Sequence, residues 1–119
     1  MKSGEFEEVI DYILIKCRNL LNSKAAEYAT EDRLHNFKVA AELQGVDPKQ
    51  ALAGMMAKRT VSVFDMCMSG DTYNSSLWDE KICDSINYLL LLRALVAEKD
   101  WAWEGQDIDE KGTEAGILS

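Results

Sequence analysis

Between Leu77 and Leu92 the chain changes character halfway, and that change limits what it can fold into. Glu80, Asp84 and Asn87 recur at i, i+4 and i+7, so on a helix they share one face. Ile82, Ile86 and Leu89 take the opposite face. From Leu89 to Leu92 every direction of one turn is apolar, the mark of a helix with neighbours all round. A row of oxygen-bearing side chains on such a helix is either a site or an exposed edge.

The remaining segments are read with the same periodicity. Over residues 3–24, Phe6, Val9, Ile10, Ile13, Leu14, Cys17, Leu20 and Leu21 recur at helical spacing, with Ser3 as N-cap and an acidic first turn. The pattern relaxes over residues 22–31. A second helix is expected to start with Thr30 or Asp32 as cap, to carry Leu34, Phe37, Ala40, Ala41 and Leu43 inward, and to end at Gly45. Asp47 and Pro48 form a start signal, because proline at the first helical position forfeits no intrahelical hydrogen bond. The third helix then runs over 48–68, with Leu52, Met56, Val63 and Cys67 on its apolar face and Arg59 in the middle of it. Gly54 offers a place for a close helix contact at a cost of ~1 kcal/mol relative to alanine. Residues 69–76 compose a loop, Ser76 and Asp79 resemble a capping box, and the fourth helix runs over 77–99. The expected fold is all-α: one bundle of about four helices over residues 1–99, followed by an acidic tail, 100–119. In that tail Trp101 and Trp103 are expected to dock on the bundle or on another subunit, and the last ~15 residues to be loosely ordered.

Bulk properties narrow the function classes. A chain of 119 residues suits one domain, and 47% hydrophobic residues with one proline suit long helices. A net charge of −8 opposes binding to a nucleic-acid duplex, which needs clustered Lys and Arg. It leaves a nucleotide open, because Mg²⁺ or a local basic pair inverts the field of a small site. No apolar run reaches the ~18 residues of a membrane span. The acidic N-terminus does not read as a signal peptide, so a cytoplasmic protein is expected. Cys17, Cys67 and Cys83 lack C-x-x-C spacing, and with His35 as the only histidine they are expected to be buried free thiols rather than zinc ligands.

Two groups of residues carry candidate chemistry. On the third helix Lys58, Ser62 and Asp65 share a side face, and a short connection makes the fourth helix an antiparallel neighbour. Asp65 can then approach Glu80 and Asp84, and carboxylates from two helices are what Mg²⁺ requires alongside a phosphate. The alternative is a set of ordinary solvated helix residues. Arg59 either pairs internally with Glu80 or Asp84 or points its planar fork at a phosphate. The second group, Lys24, Tyr28, Arg33, His35 and Asn36, sits where the helical pattern relaxes, a common place for ligand contacts. A lone histidine there is also a frequent structural hydrogen-bonder.

Three runs carry a resemblance: Tyr28 with Leu34-His-Asn-Phe37, Met55-Met-Ala-Lys-Arg59, and Asp84-Ser-Ile-Asn-Tyr88. Over residues ~20–98 they resemble short phage- and prophage-encoded helical proteins related to the nucleotide-modification-associated domains. More distantly they resemble the MazG-like all-α nucleoside triphosphate pyrophosphohydrolases. That family carries E-x-x-E on one helix and E-x-x-D on the next, together holding Mg²⁺. Here the first motif reads Ser62-Val-Phe-Asp65, so Ser62 stands in place of an acid, and the second reads Glu80-Lys-Ile-Cys-Asp84 with one residue more. The resemblance implies a depleted Mg²⁺ site of Asp65, Glu80 and Asp84. It further implies phosphate contacts from Lys58 and Arg59, and base or sugar contacts from His35 or Asn36, with Asn87 beside the acids. It also implies a homo-oligomer. The competing expectation is a non-catalytic helical oligomer that binds a nucleotide or a host protein.

Overall fold

A computed structural model describes residues 1–28 and 32–104, with side chains at 1–24 and 32–98. The helices are α1 (Ser3–Tyr28), α2 (His35–Gln44), α3 (Pro48–Ser69) and α4 (Ser75–Glu104). The all-α expectation holds, and among the described residues there is no strand. No helix there is long and apolar enough to cross a membrane.

Local chemistry sets most helix ends. Asp47 caps α3 by accepting from the Lys49 N–H at 2.8 Å, and Gln50 reaches back to the Asp47 N–H at 3.0 Å. This is a full capping box around Pro48. Gly45 and Gly70 close α2 and α3 at φ 71° and 77°, a left-handed backbone that glycine alone adopts cheaply.

Three start signals differ from expectation. Ser3 does not cap α1 but is its first helical residue; Lys2 stands before it, its N–H donating to the Glu5 carboxylate at 2.9 Å. Asp32 does not cap α2 directly; its Oδ1 accepts from the Leu34 N–H, and α2 begins only at His35. Thr30, the other candidate cap, lies outside the described residues. For α4 the cap is Asn74, whose Oδ1 accepts from the Leu77 N–H at 2.8 Å, and Ser76 falls inside the first turn. Asp79 is therefore released from the expected capping box. The helix also runs on to Glu104, past the expected end at 99. The expectations for the Trp101 and Trp103 side chains and for residues 105–119 lie outside what is described.

Helix α4 is the hub: it packs against α1 and α3, and α2 packs against α3. The connection 70–74 makes α3 and α4 an antiparallel hairpin. It is pinned by the Ser69 hydroxyl, which lies 2.9 Å from the Tyr73 hydroxyl and accepts from the Asp71 N–H. Tyr73 also meets Trp78 edge-on at 5.8 Å. Leu34 and Phe37 close the far end of this hairpin against Leu52 and Leu95, with Met55, Met56, Tyr88, Leu91 and Leu92 around them. Leu52 is fully buried, which is worth roughly 1.5–3 kcal/mol for such a side chain.

Helix α1 runs parallel to α4. Tyr12 and Lys16 reach Asp79, Cys17 meets Cys83, and the Asn87 amide donates to the Cys17 carbonyl, so both numberings rise together.

The apolar helices are less covered than their sequences suggest. Leu89 is 55% exposed and Leu90 is also exposed, because α4 has neighbours on some sides only. The expectation of a turn buried all round at Leu89–Leu92 is thus corrected: only Leu91 and Leu92 are half-buried. On α3 the buried positions are Ala51, Leu52 and Met66; Cys67, expected inward, is exposed, and so is Leu43 near the end of α2, because no described element packs on those faces. Gly54 has nothing within 4 Å of where a Cβ would sit, so it makes no close helix contact among the described residues.

Candidate functional site

The residues singled out on α3 and α4 sit on two rows of the same hairpin. Lys58 and Asp65 are exposed and Ser62 is half-buried on α3. Glu80 is exposed and Asp84 and Asn87 are half-buried on α4. In an antiparallel pair joined by residues 70–74, Asp65 falls level with Glu80, and Ser62 level with the turn between Glu80 and Asp84. Partial burial of Ser62 and Asp84 is what side chains bordering a helix–helix seam show, with Asp65, Glu80 and Lys58 standing outward of them.

Among the described residues no three His, Cys, Asp or Glu side chains are gathered closely enough to hold a metal. A pre-formed protein cage is therefore not what the rows offer. Mg²⁺ in phosphate sites commonly takes only one or two carboxylates and completes its shell with phosphate oxygens and water. Two carboxylates at about one level match that demand better than they match a structural metal, while Lys58 and Arg59 lie about two turns further along α3.

Arg59 is half-buried, and among the described residues it forms no ion pair with Glu80 or Asp84. The internal pairing considered from sequence is absent there. Asn87 acts structurally, since its Nδ2 donates to the Cys17 carbonyl at 3.2 Å and ties α4 to α1. Its Oδ1, like the Ser85 hydroxyl, is buried without a hydrogen-bond partner among the described residues.

The second group is dispersed. His35 and Asn36 are exposed in the first turn of α2. Arg33 spends its guanidinium on the Leu21 carbonyl at 3.0 Å, fastening the start of α2 to α1. Lys24 is exposed, and the Tyr28 side chain lies outside the described residues. Next to Arg33 an open cleft of about 360 Å³ runs between Leu21, Leu34, Leu90 and Ala94. Lys38 bridges Asp32 at 2.7 Å and Glu98 at 2.9 Å. The Lys38 ammonium, and then the Leu34 N–H, hold the Asp32 carboxyl below its ordinary range. None of Asp65, Glu80, Asp84, Lys58 or Arg59 lines this cleft.

One polar cluster was missed by sequence reasoning. The Tyr12 hydroxyl donates to Asp79 at 2.6 Å, and Lys16 reaches Asp79 and the Tyr12 oxygen at 3.3 and 3.2 Å. Tyr12 first, and then Lys16, hold the Asp79 carboxyl below its usual value, and the same bonds raise Lys16. The signal that could have found it is the i, i+4 placement of Tyr12 and Lys16 on one side of an otherwise apolar helix.

No protein-family model, curated protein or solved structure matches this chain.

Proposed function

We propose that the chain is a nucleotide-directed protein of the phage type, whose α3–α4 hairpin binds the phosphates of a nucleoside triphosphate together with Mg²⁺. What supports the reading is the antiparallel α3–α4 hairpin, whose connection sets Asp65 at about the level of Glu80 and Ser62 at about the level of the turn before Asp84, with Ser62 and Asp84 half-buried. Asp65, Glu80 and Asp84 are the candidate ligands; as the three are not gathered among the described residues, one or two of them would hold the ion beside phosphate oxygens and water. When bound, Mg²⁺ neutralises phosphate charge and lowers the pKa of a coordinated water. Lys58 is a mobile point charge for an outer phosphate, and Arg59 has a planar fork without an acidic partner in the described fold. His35 and Asn36, exposed at the start of α2, are the candidates for base or sugar. The reaction in this reading is hydrolysis of a nucleoside triphosphate to monophosphate and pyrophosphate, in the cytoplasm of a bacterial host. Replacement of an acid by Ser62 leaves fewer charged ligands and lowers the expected Mg²⁺ affinity. Isothermal titration with Mg²⁺ and each deoxynucleoside triphosphate, followed by pyrophosphate release, tests it. Absence of heat and of release across all nucleotides would sink the proposal.

A second reading is a non-catalytic helical oligomer, a phage accessory protein that binds a nucleotide or a host protein. It is favoured by the apolar side chains of α1 and α4 that are exposed among the described residues, Phe6 and Leu89 among them. Heat on nucleotide addition without pyrophosphate release separates it from the first.

A further inference from the structure

Helix α1 carries an apolar row whose N-terminal part nothing in the described fold covers. Phe6, Ile10 and Cys17 share a face. Cys17 is 1% exposed against Cys83, yet Phe6 is 56% and Ile10 37% exposed. The row continues by i+4 to Leu14, at 50%. Leu14 is flanked by Asp11 and Arg18, which stand at i and i+7 on the same edge. Both are exposed, and among the described residues neither forms an ion pair. The helix is also polarised along its length. Glu5, Glu7, Glu8 and Asp11 fill its first half, and Lys16, Arg18 and Lys24 follow in the second.

We infer that this face is the contact between two copies of the chain, with their α1 helices packed antiparallel about a two-fold axis beside Leu14. An isologous contact must be self-complementary, and this one is. Reversing α1 about that axis sets Asp11 of each copy beside Arg18 of the other, twice. It brings Leu14 against its own symmetry mate and lays the acidic half of one helix along the basic half of the second. Parallel pairing does the reverse, stacking acid on acid beside Asp11 and cation on cation beside Arg18, and like charges at close range oppose association. An unrelated partner has to supply both an apolar contact for Leu14 and the inverted charge order; a second copy already carries both. Burying Leu14 against its mate, with Ile10 and Phe6 at the edges of the contact, supplies the driving force, and the charges set the register. The inference rests on the oligomer reading of the exposed apolar surface and is independent of nucleotide binding.

Sedimentation velocity on the full chain tests it with Asp11→Arg, Arg18→Asp and the double charge swap. The parent is expected to dimerise, and each single variant to raise the dimer Kd by about tenfold or more. The double swap restores the parent Kd to within about threefold, and an equimolar mixture of the two single variants forms a heterodimer. Far-UV circular dichroism of every variant matches the parent, since both side chains are exposed. A monomer at all concentrations overturns this interface and the oligomer reading together. A dimer indifferent to all three changes overturns this interface alone.

Discussion

The thiols of Cys17 and Cys83 face each other across the α1–α4 contact with their sulfur atoms 3.2 Å apart, and both are buried. This is the point at which α1 is held to the hub helix, reinforced one turn on by the Asn87 amide on the Cys17 carbonyl. Small side chains let two helix backbones come close, and burial without charge costs a thiol little, since it behaves as a small hydrophobe. Burial, and then the Cys17 hydrogen bond, push the Cys83 thiol up to about 12.

A thiol with so high a pKa is a poor nucleophile at neutral pH, because only the thiolate reacts. In the native protein a thiol-specific disulfide reagent is expected to titrate Cys67 rapidly and Cys17 and Cys83 only on unfolding. The same shift sets a pH dependence. The folded value lies above the ordinary value of 9.0, so the contribution to stability is complete below pH 9 and is lost as pH rises toward 12. The thermal midpoint should decline over that window, and Cys83→Ala should flatten the decline. A parent midpoint constant through pH 11 would contradict the buried pairing.

Asp79 shows the opposite sign. Its carboxyl lies below 3.8, with the Tyr12 hydroxyl as the first cause and Lys16 after it. The contact therefore contributes above the unfolded value and is lost as pH falls through the depressed one. Removing the hydroxyl with Tyr12→Phe should return the Asp79 titration upward, toward 3.8, as read by carboxyl NMR. An unchanged titration would mean that Lys16 alone sets it.

Much of the fold was legible because helix ends are written locally. Asp47, Pro48, Gly45 and Gly70 each demand a particular backbone, and each stands where an element begins or ends. Coverage was not legible. Periodicity reports that Leu89 and Phe6 are apolar, not that a neighbour sits on them, and both are exposed in the single chain. The direction of α1 against α4 was hidden for a related reason: contacts such as Tyr12 to Asp79 join residues 67 apart in sequence, and no local pattern encodes them. Of the candidate site, the residue types and their spacing along each helix were readable. The tying of Asn87 to α1 and the lack of an acidic partner for Arg59 among the described residues were decided by packing.

The start of α4 gives a direct test of cap assignment. Asn74 and Ser76 are both good capping types, and the structure selects Asn74 through its bond to the Leu77 N–H. Asn74→Ala should lower unfolding free energy by ~1 kcal/mol in urea melts, whereas Ser76→Ala should change it by less than about 0.5 kcal/mol. Equal losses would place the helix start later than Ser75.

The acids of α4 give the sharpest separation between a site and a decorated surface. Glu80 and Asp84 stand at i and i+4, where like charges destabilise a helix by roughly 0.2–0.5 kcal/mol. Asp84→Asn keeps the shape and removes the charge, so it should stabilise the folded chain by about that amount. If the hairpin binds a nucleotide with Mg²⁺, the same change should weaken that binding by about tenfold or more, because a carboxylate is lost from a shell that has few. Asp65→Asn should weaken binding likewise, while Arg59→Ala should weaken nucleotide binding with and without the ion, since its fork acts on phosphate directly. Stability and affinity then move in opposite directions at Asp84. A gain in stability with unchanged affinity, measured by paired thermal melts and isothermal titration, would identify the row as solvated surface and remove the acids from any role in binding.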